Sequence, residues 1–204
     1  MGLIRTDLSR YFESLTPDRD ELLLRLEKEG AAEGLPLAGP VVGRLLFVLA
    51  AAGARNILEL GTCTGYTAIH LARGAAPRGG RVISLESEPA FAARARDNIA
   101  AAGLAERVEV REGDALALLA RMDESFDLAF LDIDKDHYAP ALPHLTRLVR
   151  PGGLLLVDNV GFKEAADFNA LLHGHEKWRP VFLLSFLPLH TPERDGLCLA
   201  ARVD

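Results

Sequence analysis

The sequence predicts an α/β fold built on a mostly parallel, doubly wound sheet. From Gly53 onward, short apolar runs alternate with helix-like segments, and this alternation is typical of parallel sheets with helices on both faces. Glycines and prolines separate the segments, most clearly in the runs 77–80 and 151–153. The run 154–157 is apolar at every position, as expected for a strand that is buried on both faces.

The central part of the chain divides into five strands and four helices. The β-branched and leucine-rich runs predict strands over residues 56–60, 81–86, 108–112, 126–132 and 153–158. Between them, helices are predicted over residues 66–73, 89–102, 115–121 and 138–148.

The two ends of the chain depart from this alternation. Residues 6–30 read as one amphipathic helix, and the apolar stripe in residues 41–49 predicts a second N-terminal helix. After Asp158 a helix is predicted over roughly residues 163–173. The runs 178–186 and 196–202 then predict an antiparallel edge of the sheet.

Length and composition favour one compact domain over residues 1–204, with a helical part at 1–52 and a core at 53–204. The net charge of −6 gives no general reason to expect a nucleic-acid partner. Cys63 and Cys198 form neither a metal-binding spacing nor a disulfide framework, which favours a reducing cytoplasm. The longest apolar stretch is too short to cross a bilayer, and no signal peptide is evident, so we expect no membrane partner.

The stretch 56–66 combines a carboxylate with two glycines after the first predicted strand. A dinucleotide loop favours the spacing G-x-G-x-x-G, whereas here three residues separate Gly61 from Gly65. Glu59 would repel a phosphate but suits an ammonium group, and the glycines suit a crowded approach of ligand to backbone. The loop therefore favours the methionine end of S-adenosylmethionine over a pyrophosphate.

Two further motifs follow the next strands. Glu86 ends the second strand, where a carboxylate can accept hydrogen bonds from both ribose hydroxyls of a nucleoside, although it could also be a solvated charge. Gly113, Asp114 and Ala115 follow the third strand and would let an adenine ring lie against the backbone; Asp114 could equally cap a helix.

The fourth and fifth strands end in carboxylates and an amide. Asp132, Asp158 and Asn159 supply only hard oxygen donors, which suit Mg²⁺ first, then Mn²⁺ or Ca²⁺, and are poor for Zn²⁺. Lys135 would stand near such an ion, which disfavours the ammonium form and makes this lysine a candidate base. The alternative is that these groups are ordinary loop charges.

Other reactive residues have simpler interpretations. His173 and His175 lie beyond the strand-end motifs in a polar loop, and Cys63 is better explained as a small packing residue than as an activated thiol. His190 follows a late strand and could face an acceptor pocket.

Taken together, these motifs resemble the cation-dependent class I O-methyltransferases, the family of catechol and caffeoyl-CoA O-methyltransferases. The resemblance covers nearly the whole chain and is most specific in residues 126–135 and 151–159, with Asp195-Gly196 near the end also fitting. It implies a Rossmann-like class I methyltransferase fold with an antiparallel C-terminal edge. It also implies methyl transfer from S-adenosylmethionine to a hydroxyl of a catechol-like or other vicinal-oxygen small molecule, and a homodimer is expected.

Carried over by position, the resemblance implies three sets of site residues. Asp132 and Lys135 would be catalytic, and Asp132, Asp158 and Asn159 would hold the divalent cation. Contacts with S-adenosylmethionine would come from Leu37, Glu59, Gly61, Thr62, Cys63, Gly65, Thr67, Glu86, Ser87, Gly113, Asp114, Ala115 and Asp132.

Two alternatives and one expectation remain. A hydroxylated tRNA uridine would be the acceptor if Arg10, Arg44 and Lys163 surround the mouth of the site. A nucleotide-binding protein or dehydrogenase on a related fold is the other alternative. Because the segment after Asn159 is short and Ile133 replaces a larger aromatic residue, we expect an unusually open acceptor site.

Overall fold

The computed structural model describes residues 7–204 and contains one seven-stranded sheet. The sheet order is β3-β2-β1-β4-β5-β7-β6. Its strands are β1 (Asn56–Leu60), β2 (Arg81–Glu86), β3 (Val108–Glu112), β4 (Phe126–Leu131), β5 (Val149–Val157), β6 (Trp178–Phe186) and β7 (Arg194–Arg202). This arrangement confirms the predicted fold class.

Helices connect the parallel strands and extend the N-terminal side. They are α1 (Leu8–Glu13), α2 (Glu21–Glu33), α3 (Gly39–Ala51), α4 (Tyr66–Ala75), α5 (Pro89–Ala101), α6 (Ala115–Arg121), α7 (Tyr138–Leu148) and α8 (Ala166–His173). Three short 3₁₀ turns, at Ala76–Arg78, Lys135–His137 and Lys163–Ala165, complete the regular structure of the described residues.

The prediction of one continuous helix over residues 6–30 is wrong. Within the described part, which excludes Thr6, helix α1 ends at Glu13 and α2 begins only at Glu21. Pro17 disfavours the helical conformation of the residue before it. Asp20 then starts α2 as its N-cap, accepting the main-chain N–H of Leu23 at 3.0 Å.

The sheet has a parallel body and an antiparallel edge. Strand β1 pairs in parallel with β2 and β4, β2 pairs with β3, and β4 pairs with β5 in the same sense. Strand β7 then runs antiparallel between β5 and β6. Because the parallel strands share one direction, the residues after β1, β2, β3, β4 and β5 meet at one edge of the sheet.

The N-terminal helices pack onto the core. Helix α3 crosses α4 so closely that a Cβ on Gly74 would stand 2.4 Å from the carbonyl oxygen of Phe47. A Cβ on Gly43 would likewise meet the ring of His70 at 2.6 Å. None of the helices within residues 7–204 combines the length and the apolar character needed to cross a bilayer.

Strand β6 forms one edge of the sheet and carries exposed apolar side chains. Leu184 is 92% exposed, and Val181, Phe182 and Leu183 are 37–48% exposed. Such a surface suits a second protein chain, but the expected homodimer stays a prediction.

Candidate active site

A cleft of about 420 Å³ opens at the edge of the sheet where the parallel strands end. Most of the predicted site residues line it together: Leu37, Gly61, Cys63, Glu86, Ser87, Asp114, Ala115, Asp132, Lys135, Asp158 and Asn159. A larger groove of about 860 Å³ lies between β6 and α8 but contains none of them, so chemistry and not size identifies the candidate site.

The backbone conformation and packing at position 61 require a glycine. Its φ is +97°, and a Cβ at this position would lie 1.9 Å from the carbonyl oxygen of Asp132. Its N–H donates to the carbonyl of Leu85 at 3.0 Å, so the loop is held against both neighbouring strands. The sequence suggested that the glycines make room for a ligand close to the backbone. At Gly61 the group that needs the room is instead the main chain of Asp132, at the end of β4.

The rest of the glycine loop turns sharply into α4. Gly65 begins the helix at φ +87°, with the backbone of Ala95 only 3.3 Å from the position of a Cβ, and it does not line the cleft. Cys63 adopts a φ of +46°, which is strained for a residue with a side chain. Burial raises the pKa of the Cys63 thiol to about 11, which argues against an activated nucleophile.

Glu59 lies beneath the loop and is fully buried. Its Oε2 accepts a short hydrogen bond from Ser84, whose hydroxyl also bonds that of Thr62 at 2.5 Å. Burial raises the pKa of Glu59 to about 7, although Ser84 and Thr67 act in the opposite direction. Its Oε1 has no partner, which leaves one buried acceptor for a donor, but Glu59 is not among the residues lining the cleft.

Below the loop a smaller pocket reaches towards α2. Thr62 and Thr67 line it together with Glu27 and Leu37. Glu27 accepts the hydroxyl of Tyr66 at 2.7 Å, so a second carboxylate faces this side of the loop. The sequence motifs did not single out Glu27, because it lies on a helix far from the strand ends.

Glu86 is 8% exposed and is oriented by the backbone. Its Oε2 accepts the N–H of Cys63 at 2.7 Å, and its Oε1 accepts the N–H of Glu88 at 2.9 Å. These bonds fix the carboxylate between the glycine loop and the end of β2. Each oxygen keeps a second lone pair that can accept a hydroxyl.

Asp114 and Ala115 border the far end of the cleft. Asp114 is the N-cap of α6, as one interpretation of the sequence predicted, because it accepts the N–H of Ala117 at 2.8 Å. The same residue also lines the cleft. Gly113 precedes them at φ +144°, and its N–H donates to the carbonyl of Glu86 at 2.8 Å.

Asp132 and Lys135 face each other after β4. The Nζ of Lys135 lies 3.1 Å from the Oδ1 of Asp132, and both side chains are mostly buried. Burial and the nearby carboxylate of Asp158 raise the pKa of Asp132 to about 6, while Lys135 lowers it.

Aromatic rings flank the Lys135 ammonium. It stands 5.7 Å from the ring centroid of Tyr138 and 5.8 Å from that of Phe162. Phe162 lies in the segment after Asn159 and was missed by the sequence analysis, which considered only Ile133 as a possible aromatic position. An apolar wall therefore stands beside the lysine after all.

Asp158 and Asn159 are positioned by buried polar contacts. Tyr138 donates its hydroxyl to the carbonyl of Asp158 at 3.1 Å. Asn159 adopts a φ of +52°, and its Nδ2 donates to Asp195 at 2.7 Å. The same carboxylate accepts the N–H of Gly161 at 3.1 Å, so Asp195 fixes both the turn and the amide orientation.

The donors at the ends of β4 and β5 fit a hard divalent cation in their chemistry. Because the amide nitrogen of Asn159 is committed to Asp195, its Oδ1 is the atom that remains for a cation, beside the carboxylates of Asp132 and Asp158. Residues 7–204 contain no group of three or more His, Cys, Asp or Glu side chains that could hold a metal ion. A cation site here therefore depends on the amide as one donor.

His190 also lies in this cleft, as one interpretation of the sequence allowed. Its Nε2 is 3.0 and 2.9 Å from the two carboxylate oxygens of Asp158, and its Nδ1 is 2.6 Å from the carbonyl oxygen of Pro192. Burial alone would lower its pKa, but the hydrogen bond and charge of Asp158 raise it above the ordinary value. By contrast, His173 packs beside Phe182, away from the cleft.

Two distant segments cover the cleft. The N–H of Thr191 donates to the carbonyl of Leu37 at 2.9 Å, and the N–H of Leu37 donates to the hydroxyl of Thr191 at 3.3 Å. The segment after Asn159 is short, as expected, because a 3₁₀ turn begins at Lys163 and α8 at Ala166. Residues 35–38 and 190–191 therefore line the cleft from the same chain, and the degree of openness towards the acceptor stays a prediction.

Comparison with known proteins agrees with this geometry. A family model described as O-methyltransferase matches residues 35–167. The catechol O-methyltransferase of Niastella koreensis is 40% identical, covering 95% of both chains, and that of Mycobacterium tuberculosis is 41% identical over 76% of this chain and 71% of the relative. An O-methyltransferase structure from Bacillus cereus in complex with SAH superposes with a TM-score of 0.84 at 32% identity, covering 96% of both chains. TomG from Streptomyces achromogenes, in complex with SAM, gives 0.86 at 31% identity, covering 97% of this chain and 96% of that one.

Proposed function

Because the chain belongs to the O-methyltransferase family, we propose that it transfers a methyl group from S-adenosylmethionine to a hydroxyl of a small molecule with vicinal oxygens. One observation carries this proposal. Lys135, Asp132, Asp158 and Asn159 share a single cleft with Glu86, so an acceptor, a base and a nucleoside can meet there.

The donor half of the cleft suits a nucleoside with an amino-acid tail. Glu86 presents a fixed carboxylate to the ribose hydroxyls, and Asp114 with Ala115 borders the adenine. The tail would lie along the glycine loop towards Thr62, Thr67 and Leu37. Related structures that contain SAM or SAH at 31–32% identity support this assignment.

The acceptor half is proposed to contain a divalent cation, held by oxygens of Asp132, Asp158 and Asn159. A bound cation stabilises negative charge on the acceptor oxygen that attacks the methyl group. The donor set suits Mg²⁺ or Mn²⁺, and Asp195 keeps the amide oriented for this role.

Lys135 is the proposed base. In its neutral form the Nζ removes the proton of the acceptor hydroxyl, the oxygen forms a bond to the methyl carbon, and the carbon–sulfur bond breaks. The sulfonium becomes a neutral thioether, and the proton stays on Lys135. The carboxylate of Asp132, 3.1 Å from Nζ, then stabilises the resulting ammonium. Tyr138 and Phe162 orient the lysine, and Phe162, which is exposed, offers an apolar face to a flat acceptor.

A small acceptor agrees better with the lining than a tRNA loop does. Arg10, Arg44 and Lys163 are not among the described residues that line the cleft. Arg44 instead donates to the carbonyl of Asp18. Three acidic residues, Asp134, Asp136 and Glu164, surround the adjoining pocket beside Lys135, and such charges disfavour a polyanion.

The test uses S-adenosylmethionine labelled in its methyl group. We expect transfer to catechol in the presence of Mg²⁺ and little transfer to resorcinol, the matched isomer whose hydroxyls are not vicinal. Excess EDTA should abolish the reaction, and Asp158→Asn should reduce it while leaving S-adenosylmethionine affinity unchanged by calorimetry. Equal transfer to both isomers, or transfer that persists in EDTA, would contradict the proposed acceptor class or the role of the cation.

A further inference from the structure

The groove between β6 and α8 adjoins the proposed acceptor site, and we propose that it binds an uncharged, apolar arm of the methyl acceptor. The inference rests on the proposed function, since it requires the reacting hydroxyls to lie beside Lys135. It goes further by naming the rest of the acceptor. The substrate class is a catechol-like ring that carries an alkyl chain.

Phe162 connects the groove with the acceptor site. It lines the groove, and it also lines the pocket beside Lys135, with its ring centroid 5.8 Å from Nζ. Val160, another residue of the groove, directly follows Asn159 of the cleft. A ring that lies against Phe162 can therefore react beside Lys135 while its substituent enters the groove.

Hydrogen bonds fix the turn that separates the two sites. The N–H of Val160 donates to the carbonyl of Gly196 at 3.0 Å, and the Nδ2 of Asn169 donates to the carbonyl of Val160 at 2.8 Å. The N–H of Phe162 donates to the carbonyl of Asn159 at 3.2 Å. The turn is thus tied to β7 and α8, so the groove is formed before an acceptor binds and little ordering of the protein opposes binding.

The groove has an apolar surface and is large enough for a small-molecule arm. Its volume of about 860 Å³ lies within the range of roughly 300–1,000 Å³ that is usual for ligand pockets. Four of the large apolar side chains that line it are exposed, so an arm bound there would remove apolar surface from water. They are Phe162, Phe182, Leu183 and Leu184.

The carboxylate and the guanidinium in the wall of the groove are engaged by other parts of the protein. Both oxygens of Asp195 already accept hydrogen bonds, from the amide of Asn159 and from main-chain N–H groups. Arg194 donates to the hydroxyl of Ser9 at 3.2 Å and lies over the ring of Phe186, 5.6 Å from its centroid. The lining therefore favours an uncharged arm, in contrast to the acidic pocket described above.

The experiment measures acceptor binding by calorimetry in the protein saturated with SAH and Mg²⁺, so that no methyl transfer occurs. Complete burial of one methylene improves affinity about fourfold, and a groove that is open on one side should give about twofold. 4-Pentylcatechol has four more methylenes than 4-methylcatechol and should therefore bind at least about 10-fold more tightly. 4-(4-Aminobutyl)catechol, whose arm has the same length but ends in an ammonium group, should lose most of this gain.

Two matched variants on α8 locate the arm. Ala170 lines the groove, whereas Leu171, the next residue, is exposed but does not line it. Ala170→Glu places a carboxylate in the groove and should bring the Kd values of 4-methylcatechol and 4-pentylcatechol to within about threefold of each other. Leu171→Glu should keep the difference at about 10-fold or more. An unchanged difference in Ala170→Glu would overturn the inference, since the arm would then bind elsewhere.

Other results in the unaltered protein are equally decisive. Equal Kd values for 4-methylcatechol and 4-pentylcatechol would overturn the inference and leave β6 to a second protein chain, while methyl transfer to catechol would still test the proposed function. Tighter binding of the aminobutyl arm would also overturn it, by placing the arm in the acidic pocket. If neither catechol binds, the acceptor class of the proposed function is wrong and the groove inference falls with it. If Ala170→Glu does not fold, the comparison of the pentyl and aminobutyl arms in the unaltered protein decides the question.

Discussion

Replacing Glu86 should weaken S-adenosylmethionine binding in a way that can be assigned to the ribose. The carboxylate accepts the N–H groups of Cys63 and Glu88 at 2.7 and 2.9 Å, which orients it but leaves one lone pair on each oxygen. A hydrogen bond to a charged group contributes about 1.5–3 kcal/mol. Glu86→Ala should therefore raise the Kd by about 10- to 150-fold.

Calorimetry with the intact cofactor and with a 2′-deoxyribose analogue separates the ribose contact from damage to the loop. If Glu86 binds the 2′-hydroxyl, removing that hydroxyl should weaken binding to the unaltered protein and should have little further effect on Glu86→Ala. If Glu86 only orders the glycine loop, the two losses should add.

Glu112→Ala is the matched control. Glu112 lies beside Glu86 in the register of β2 and β3, but its side chain is exposed and it does not line the cleft. Its removal should leave the Kd within about twofold, the usual effect of an exposed charge. An unchanged Kd in Glu86→Ala, or equal losses in both variants, would refute the assignment.

Three further predictions concern the loop, a buried histidine and the base. Gly61→Ala should lower the free energy of unfolding in urea titration by about 2–5 kcal/mol, because the added Cβ would overlap the carbonyl of Asp132. Gly79→Ala is the control: it has open space around it and should lower the free energy of unfolding by only about 1–2 kcal/mol. His70 is buried, and burial lowers its pKa from 6.5 to about 4. The unfolded chain therefore binds a proton at His70 more readily than the folded protein does, so the free energy of unfolding should fall by about 3 kcal/mol as the pH drops from 6.5 to 4. His70→Gln should flatten this part of a pH-dependent denaturation series, and an equally steep decline would contradict the assignment. Lys135→Ala should slow single-turnover methyl transfer by about 10²- to 10⁴-fold at unchanged S-adenosylmethionine affinity, and a rate within a few-fold of the unaltered protein would exclude it as the base.

Local patterns predicted the core of the fold well. Strands β1, β2, β3 and β6 and helices α6 and α7 have the bounds that periodicity and breakers indicated. The expectation that residues after parallel strands lie together also placed Glu86, Asp132 and Asp158 correctly in one cleft, because it depends only on strand direction.

Contacts between distant parts of the chain were beyond that reasoning. Leu37 had been included only through the family resemblance, and its bonds to Thr191 depend on the path of the loop over residues 187–193. Phe162 reaches Lys135 because a tight turn follows Asn159, whose positive φ has no sequence pattern beyond the residue type. Gly61 was assigned to the correct loop, but the group that crowds it is the Asp132 backbone.

The cover over the cleft has a consequence for dissecting the protein. Leu37 belongs to the N-terminal helical part and Thr191 to the loop before β7, and the two exchange hydrogen bonds through both their main chains and the threonine hydroxyl. A fragment that begins at residue 53 would keep every strand but would lose residues 35–38, which form one side of this cover, and helix α3, which packs on α4. Glu27 and residues 35–39 thus contribute to the lining of the ligand site, so a shortened expression fragment should be chosen to retain them.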